Sequence, residues 1–422
     1  MKPLLSVAFA LGVGMATSVE LELVPDTPQW AAFRDGNGPW QVHPPSQTRY
    51  QSEARERFYE WVVVCAGNVT HLRMAADEIP SLRWQCQDGS KPHEPAPEQL
   101  VEVKVALKGL NVSRSRARQS ATLYIGRSGQ LNGLNTPTMS LELPSSSAPD
   151  LIATRKLLTS NAPDRMLLFR QFQPQTGVLE LDFSGPKALP LTAYILQVSG
   201  WQITGQPTAP ASVRWHSCGG AVAWLGDSVG ESNAAFYGRL PTSAVRPCDR
   251  YEFSSFAIES SENGNGDFQM AFRFLNDPRD VLLPLPPLPK GPEVRLENGH
   301  PVANRPENQP SSLSSLAFPL LSTFGFGDQE HRWETWQPGT AAQSYTPPEL
   351  RGLGGWNPEW ELRGSVLDWS YGVLLGTGTP IQTLRAFQTN SITGFEGPLE
   401  AFDGLYVGFT GVGGRLRAPT QP

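Results

Sequence analysis

Charge is sparse in these 422 residues: 34 Lys and Arg and 40 Asp and Glu make up 18% of the chain and leave a net charge of -6. The bases are scattered rather than blocked, and neither an acidic tail nor a basic arm occurs, so the footprint of a nucleic-acid binder is missing. The residues that fill surface helices are not prominent, and a helical pattern of adequate length is lacking between residues 228 and 331. After the first residues no apolar run reaches the ~20 positions needed to cross a bilayer. Close CxxC or HxxxH spacings are absent, which argues against the common zinc frameworks, and neither metal nor cofactor is expected. Convincing tandem repeats are also wanting.

Turn-formers are plentiful instead, with 40 Gly and 39 Pro. With so few helix signals this balance points to many short strands, an all-β chain long enough for roughly two to four domains. MKPLLSVAFALGVGMATS pairs a lysine with an apolar run from Leu4 to Ala16 and small residues suited to cleavage, the pattern of a signal peptide over 1–18. Four cysteines in an exported chain are read as disulfides. Of three connectivities the local one is favoured, Cys65 with Cys86 and Cys218 with Cys248, each pair falling inside one stretch of strands.

Strand signals recur throughout. In LVEVKVALKG, Val101, Val103, Val105 and Leu107 alternate with Glu102, Lys104 and Lys108, the period-2 pattern of a half-buried strand. VLELDFSG and AYILQVSGW add two more. CDRYEFSSFAIES and FQMAFRFL flank SENGNGD, which reads as a hairpin turning at Asn265 and Gly266. YQSEARERFYEW (50–61) has helical composition but equally suits a charged strand. The proline-rich stretch 284–310 reads as a linker or long surface loop. The expected organisation is therefore two or three antiparallel sandwich-like domains: 19–147 with Cys65 and Cys86; 148–205 as a further strand segment packing on it; and 206–422 with Cys218, Cys248 and a tryptophan-rich region, 333–369.

DGNGPW (35–40), YEWVVVC, DEIPSLRWQC, PDLIATR (149–155), DRMLLFRQF (164–172) and LDFSGP (181–186) together resemble the landmarks of a group of exported bacterial β-domain proteins, over about residues 20–205. The resemblance implies a β-sandwich-like fold with Cys65 paired to Cys86, and implies no activity.

WLGDSVGES (224–232) is similar to the first block of the Gly-Asp-Ser-Leu esterases, with Val229 where leucine or isoleucine usually stands. In that family a serine attacks an ester while a histidine takes its proton and an aspartate orients the ring. Carried over, those roles fall to Ser228, His331 and Asp328, with Asn276 as oxyanion donor. Such a site needs parallel strands and crossover helices, which the pattern around Ser228 does not offer. His331 also stands near Glu330 and Glu334, where an ion could be held, although a surface turn is the simpler reading; His43, His71, His93 and His300 read as loop residues.

Trp333, Trp336, Trp356, Trp360 and Trp369 crowd one short region among Glu334, Glu359, Glu361 and Asp368. Indoles beside carboxylates suit sugar binding, the ring stacking on a pyranose face while polar groups take its hydroxyls; equally, tryptophan fills β cores. The residues point to an exported, non-catalytic binding or scaffold protein of the periplasm, cell surface or extracellular space. Its expected partner is a glycan, through Trp356, Trp360, Trp333 and Trp336, or an envelope protein; the alternative is a serine hydrolase.

Overall fold

The computed structural model describes residues 16–86, 100–111, 118–126, 129–134, 138–144, 150–173, 177–203, 209–228, 232–259, 266–297, 300–304, 317–326, 332–337, 344–361, 366–391 and 402–417. The fold is all-β, with several sheets dominated by antiparallel pairing and one α-helix, Pro380–Ser391, among these residues. The alternating strand Leu100–Lys108 buries Val103, Val105 and Leu107 as its sequence pattern requires. Arg250–Ile258 and Phe268–Leu275 pair as the expected hairpin; Asn265 lies outside the described residues. Residues 50–61 form two strands, Arg49–Ala54 and Phe58–Cys65. The Asp35 carboxylate closes the turn between them by accepting the backbone N–H groups of Arg55 and Glu56, each at 3.0 Å.

One strand order recurs. In the first unit, Thr17–Pro25 lies between antiparallel Arg49–Ala54 and parallel Ser81–Cys86. Facing that three-stranded sheet are Gln41–His43, Trp30–Asp35, Phe58–Cys65 and Asn68–Ala75, hydrogen-bonded in that order. A second unit repeats the order with Leu100–Lys108 between Thr138–Pro144 and Gly177–Asp182. A third repeats it with Thr192–Ser199 between Ala234–Arg239 and Val281–Pro284. Residues 192–199 thus pair with strands of 234–284. In a fourth unit His300–Asn304 pairs with Ser344–Tyr345, but Glu293–Glu297 occupies the other side and runs antiparallel. The repetition is of connectivity, which the period-2 pattern of each strand satisfies without any shared residues.

Three four-stranded sheets, one each from the third, fourth and first units, join edge to edge into one sheet of 12 strands. Phe268–Leu275 of the third unit pairs antiparallel with Tyr406–Arg417 of the fourth. Arg332–Gln337 of the fourth pairs parallel with Asn68–Ala75 of the first, Trp333 beside Val69 and Trp336 beside Leu72. This explains why FYEWVVVC is apolar almost throughout. Tyr59, Trp61 and Val63 enter the first unit's core, while Val62 and Val64 on the opposite face pack with Trp333, Tyr345 and Trp356. A strand covered on both faces has no solvent side to alternate toward.

Both disulfides are the local ones, Cys65–Cys86 and Cys218–Cys248, with Cα atoms 5.3 Å apart in each. They close loops of 21 and 30 residues, which in the chain-entropy treatment stabilise by about 3 to 4 kcal/mol each. Replacing both cysteines of the second bridge with alanine is expected to lower the urea midpoint accordingly; an unchanged midpoint would show that the surrounding sheet holds this loop without the bond. Among the described residues no helix is long and apolar enough to cross a membrane; of the leader-like segment 1–18, residues 1–15 lie outside them, while Thr17 and Ser18 open the first strand.

Candidate binding site

The loop 346–361 builds the site. It leaves Ser344–Tyr345, crosses the outer face of the first unit, and returns to the fourth unit at Trp360, whose carbonyl meets Trp333. Its shape follows from RGLGGWNPEW. Gly352 and Gly355 adopt φ of +89° and +76°, a region L side chains enter only with strain. Asn357 then starts the short 3-10 turn Pro358–Trp360, its side chain accepting the Glu359 N–H at 3.1 Å. Trp30 of the first unit anchors the loop by donating from Nε1 to the Gly354 carbonyl at 3.1 Å.

Trp356 is 8% exposed and sits at the centre of a tryptophan cluster. Trp30 lies 5.0 Å from it, Trp360 5.3 Å and Trp333 6.2 Å, with interplanar angles of 73°, 80° and 73°. Trp333 donates from Nε1 to the Trp360 carbonyl at 2.6 Å. These rings meet edge to face, as aromatic quadrupoles prefer, and so do not form a flat platform. The structure brings Trp333, Trp356 and Trp360 together. Trp336 is separated from them by strand alternation: it points to the other face, against Trp84 at 5.2 Å and Phe387 at 5.6 Å. There it donates to Glu334 at 2.7 Å, whose carboxyl burial pushes upward from the ordinary range.

Beside the cluster is a cavity of about 250 Å³ lined by Trp333, Trp356, Val302, Leu350, Thr346, Pro347, Pro348, Arg351 and the carboxylates of Glu297, Glu349 and Glu361. Arg351 grips buried Glu361 through two bonds, Nε to Oε1 at 3.0 Å and Nη2 to Oε2 at 2.6 Å. At this size, just below the roughly 300–1,000 Å³ typical of ligand pockets, it suits one compact ring rather than a long chain. The sequence directed attention to the indoles; Glu349 and Arg351 on the loop and Glu297 at the end of Glu293–Glu297 gave no signal, because they meet only in the fold.

Ser228 lies elsewhere. It follows the edge strand Val222–Asp227, and its Oγ accepts the Ala211 N–H at 3.0 Å while its own N–H donates to the Ala211 carbonyl at 2.8 Å. No parallel strand-helix-strand unit surrounds it among the described residues, and Asp328 and His331 lie outside them. Asn276 donates to the carbonyls of Arg246 at 2.8 Å and Asp249 at 2.9 Å. Its neighbour Leu275 pairs with Tyr251, whereas Ala211, which binds Ser228, pairs with Ser255. At ~3.3 Å per residue the two are about 15 Å apart along the sheet, too far for a nucleophile and its oxyanion donor. Cys218, Cys248 and Asp249 lie within 4.8 Å of one another, but the cysteines are bonded and Asp249 is taken by Arg170.

Two buried carboxylate-histidine pairs were not anticipated. His71, read as a loop residue, lies in Asn68–Ala75, where its Nε2 meets buried Glu60 at 2.8 Å. His216 meets buried Glu252 at 2.6 Å. His43 and His300 are also strand residues, since the flanking Gly and Pro mark strand ends close by; His93 lies outside the described residues. Arg34 also binds Glu60, at 2.6 Å, and Arg214 approaches Glu252 to 4.0 Å, each on the directly paired strand.

No family model matches the chain and no curated protein matches it. Among solved structures it is similar to the Bacillus anthracis TIE protein, at 8% identity and a TM-score of 0.14, covering 64% of this chain and 49% of that one. It is also similar to the pilus adhesin SpaC from Lactobacillus rhamnosus GG, at 11% identity and a TM-score of 0.13, covering 76% of this chain and 43% of that one. The chain thus spans about half the length of the structures it matches, and at these TM-scores neither likeness carries an argument about its activity.

Proposed function

We propose that this is an exported, non-catalytic binding or scaffold protein of the bacterial envelope or its surroundings, and that it holds a glycan residue in the cavity beside Trp356. The observation that carries the reading is the juxtaposition in one cavity of two indoles with an arginine-carboxylate pair, Arg351 and Glu361. Apolar ring walls with a few convergent polar groups are what a pyranose needs. The perpendicular packing of Trp356 and Trp360 moves the expected contact from an open stacking surface to this cavity. The two disulfides support an oxidising address outside the cytoplasm.

Binding to wall polysaccharide measured by co-sedimentation tests it. Arg351→Ala is expected to weaken retention about tenfold or more, by unfixing the Glu361 carboxylate that lines the cavity, and to lower the thermal unfolding temperature because buried Glu361 loses its two bonds to the guanidinium. Trp356→Ala is expected to abolish retention but also to lower stability by about 3 to 5 kcal/mol as a cavity opens in the cluster. Retention unaffected by Arg351→Ala, or absent in the unaltered protein, would overturn the glycan assignment.

A further inference from the structure

We infer that the cavity selects a positively charged saccharide, an amino sugar with a free ammonium group; this rests on the glycan reading above. Three of the lining side chains are carboxylates, Glu297, Glu349 and Glu361, against the single guanidinium of Arg351. That guanidinium would ordinarily draw an anionic ligand, but both of its bonds go to Glu361. It neutralises a buried carboxylate of its own loop and has little attraction left for a second.

Glu297 is held by Arg295 at 2.6 Å across exposed surface, a contact water and salt weaken readily. Glu349 lies exposed beside Leu350. The lining is therefore net negative, and an uronic or sialic acid entering it would meet like charge. An ammonium group gains on two counts: a charge-assisted hydrogen bond to the Glu349 carboxylate, and attraction to the ring walls of Trp333 and Trp356. Acetylating the amine removes both while leaving the ring and hydroxyls intact, so the pair of sugars isolates the charge.

The test titrates the full chain with glucosamine trimer and with N-acetylglucosamine trimer, by calorimetry and tryptophan fluorescence, at low salt and a pH where the amine is protonated. The free amine is expected to bind about tenfold more tightly. Glu349→Gln should shrink that gap without changing affinity for the acetylated trimer, and raising the salt should shrink it too. Equal binding of the two trimers, or preference for the acetylated one, would overturn the charge selection while leaving the glycan reading intact. Failure of these and of neutral and acidic polysaccharides alike to bind would remove both.

Discussion

Replacing Arg170 with alanine is expected to cost about 3 to 5 kcal/mol and to loosen the second unit from the third. Its guanidinium donates to Asp150 at 2.9 Å and to both oxygens of Asp249, at 2.9 and 2.6 Å. The carboxylates belong to different units and are 1% and 0% exposed, so without the arginine two buried charges lose their shared cation. The other oxygen of Asp150 holds the Gln171 N–H at 2.8 Å, where the backbone takes a φ of +50°. Gly219 leaves room for the same carboxylate: a Cβ there would lie 2.2 Å from Asp150 Oδ1. The Arg170 guanidinium carbon also lies over the Trp215 ring, 5.3 Å from its centroid, a further contact with the third unit. Urea unfolding should report the loss, and hydrogen exchange should rise first at Asp150 and Val222, whose N–H groups donate across the junction to the carbonyls of Gly219 and Gly126. A loss below about 1 kcal/mol would mean that the network is hydrated and that the sheets alone hold the units together.

The second large effect is expected at Glu60. Alanine there should cost about 3 kcal/mol, because His71 at 2.8 Å, Arg34 at 2.6 Å and Arg73 at 3.7 Å all converge on a carboxylate 3% exposed. Glutamine, which keeps a hydrogen bond to His71, should cost less than alanine. Burial by itself would raise the Glu60 carboxyl, but His71 and Arg34 outweigh it and hold its pKa below the ordinary 4.5. A group with a depressed folded pKa stabilises above its unfolded value, and that contribution is lost as pH falls through the folded one. The wild-type chain should therefore lose this contribution progressively as pH falls below about 4.5, and Glu60→Gln should flatten that slope. Parallel slopes would place the acid sensitivity elsewhere.

The strands were legible because each carries its own signal: in Leu100–Lys108 alternation fixes the buried face, and in 250–275 two β-rich runs bracket a glycine-asparagine turn. The local disulfide pairing followed from the same reasoning. What could not be read was association between distant strands. Nothing in NVTHLRMA announces that its partner is RWETWQ, since ladder bonds come from backbone and the side chains encode only which face is apolar. For the same reason Trp333 and Trp336, three residues apart, read as one cluster, whereas alternation sends them to opposite faces. His71 reads as a loop residue because the Ala66–Gly67 turn just upstream masks the strand Asn68–Ala75. Of the cavity's three carboxylates, Glu361 stood out beside the tryptophans, whereas Glu297 and Glu349 were invisible because no spacing in the chain relates one to the other.

The parallel pairing of residues 333–336 with 69–72 also bears on how the chain reaches its final form. Asn68–Ala75 can complete its ladder only after the fourth unit has been synthesised, and until then it presents an apolar, unpaired margin. Native contacts this remote in sequence slow folding, and a bare strand margin invites pairing with other chains. During biosynthesis the first unit would thus depend on a holding factor or on rapid transit, and a ribosome stalled before residue 332 should release a product that aggregates rather than a smaller soluble one.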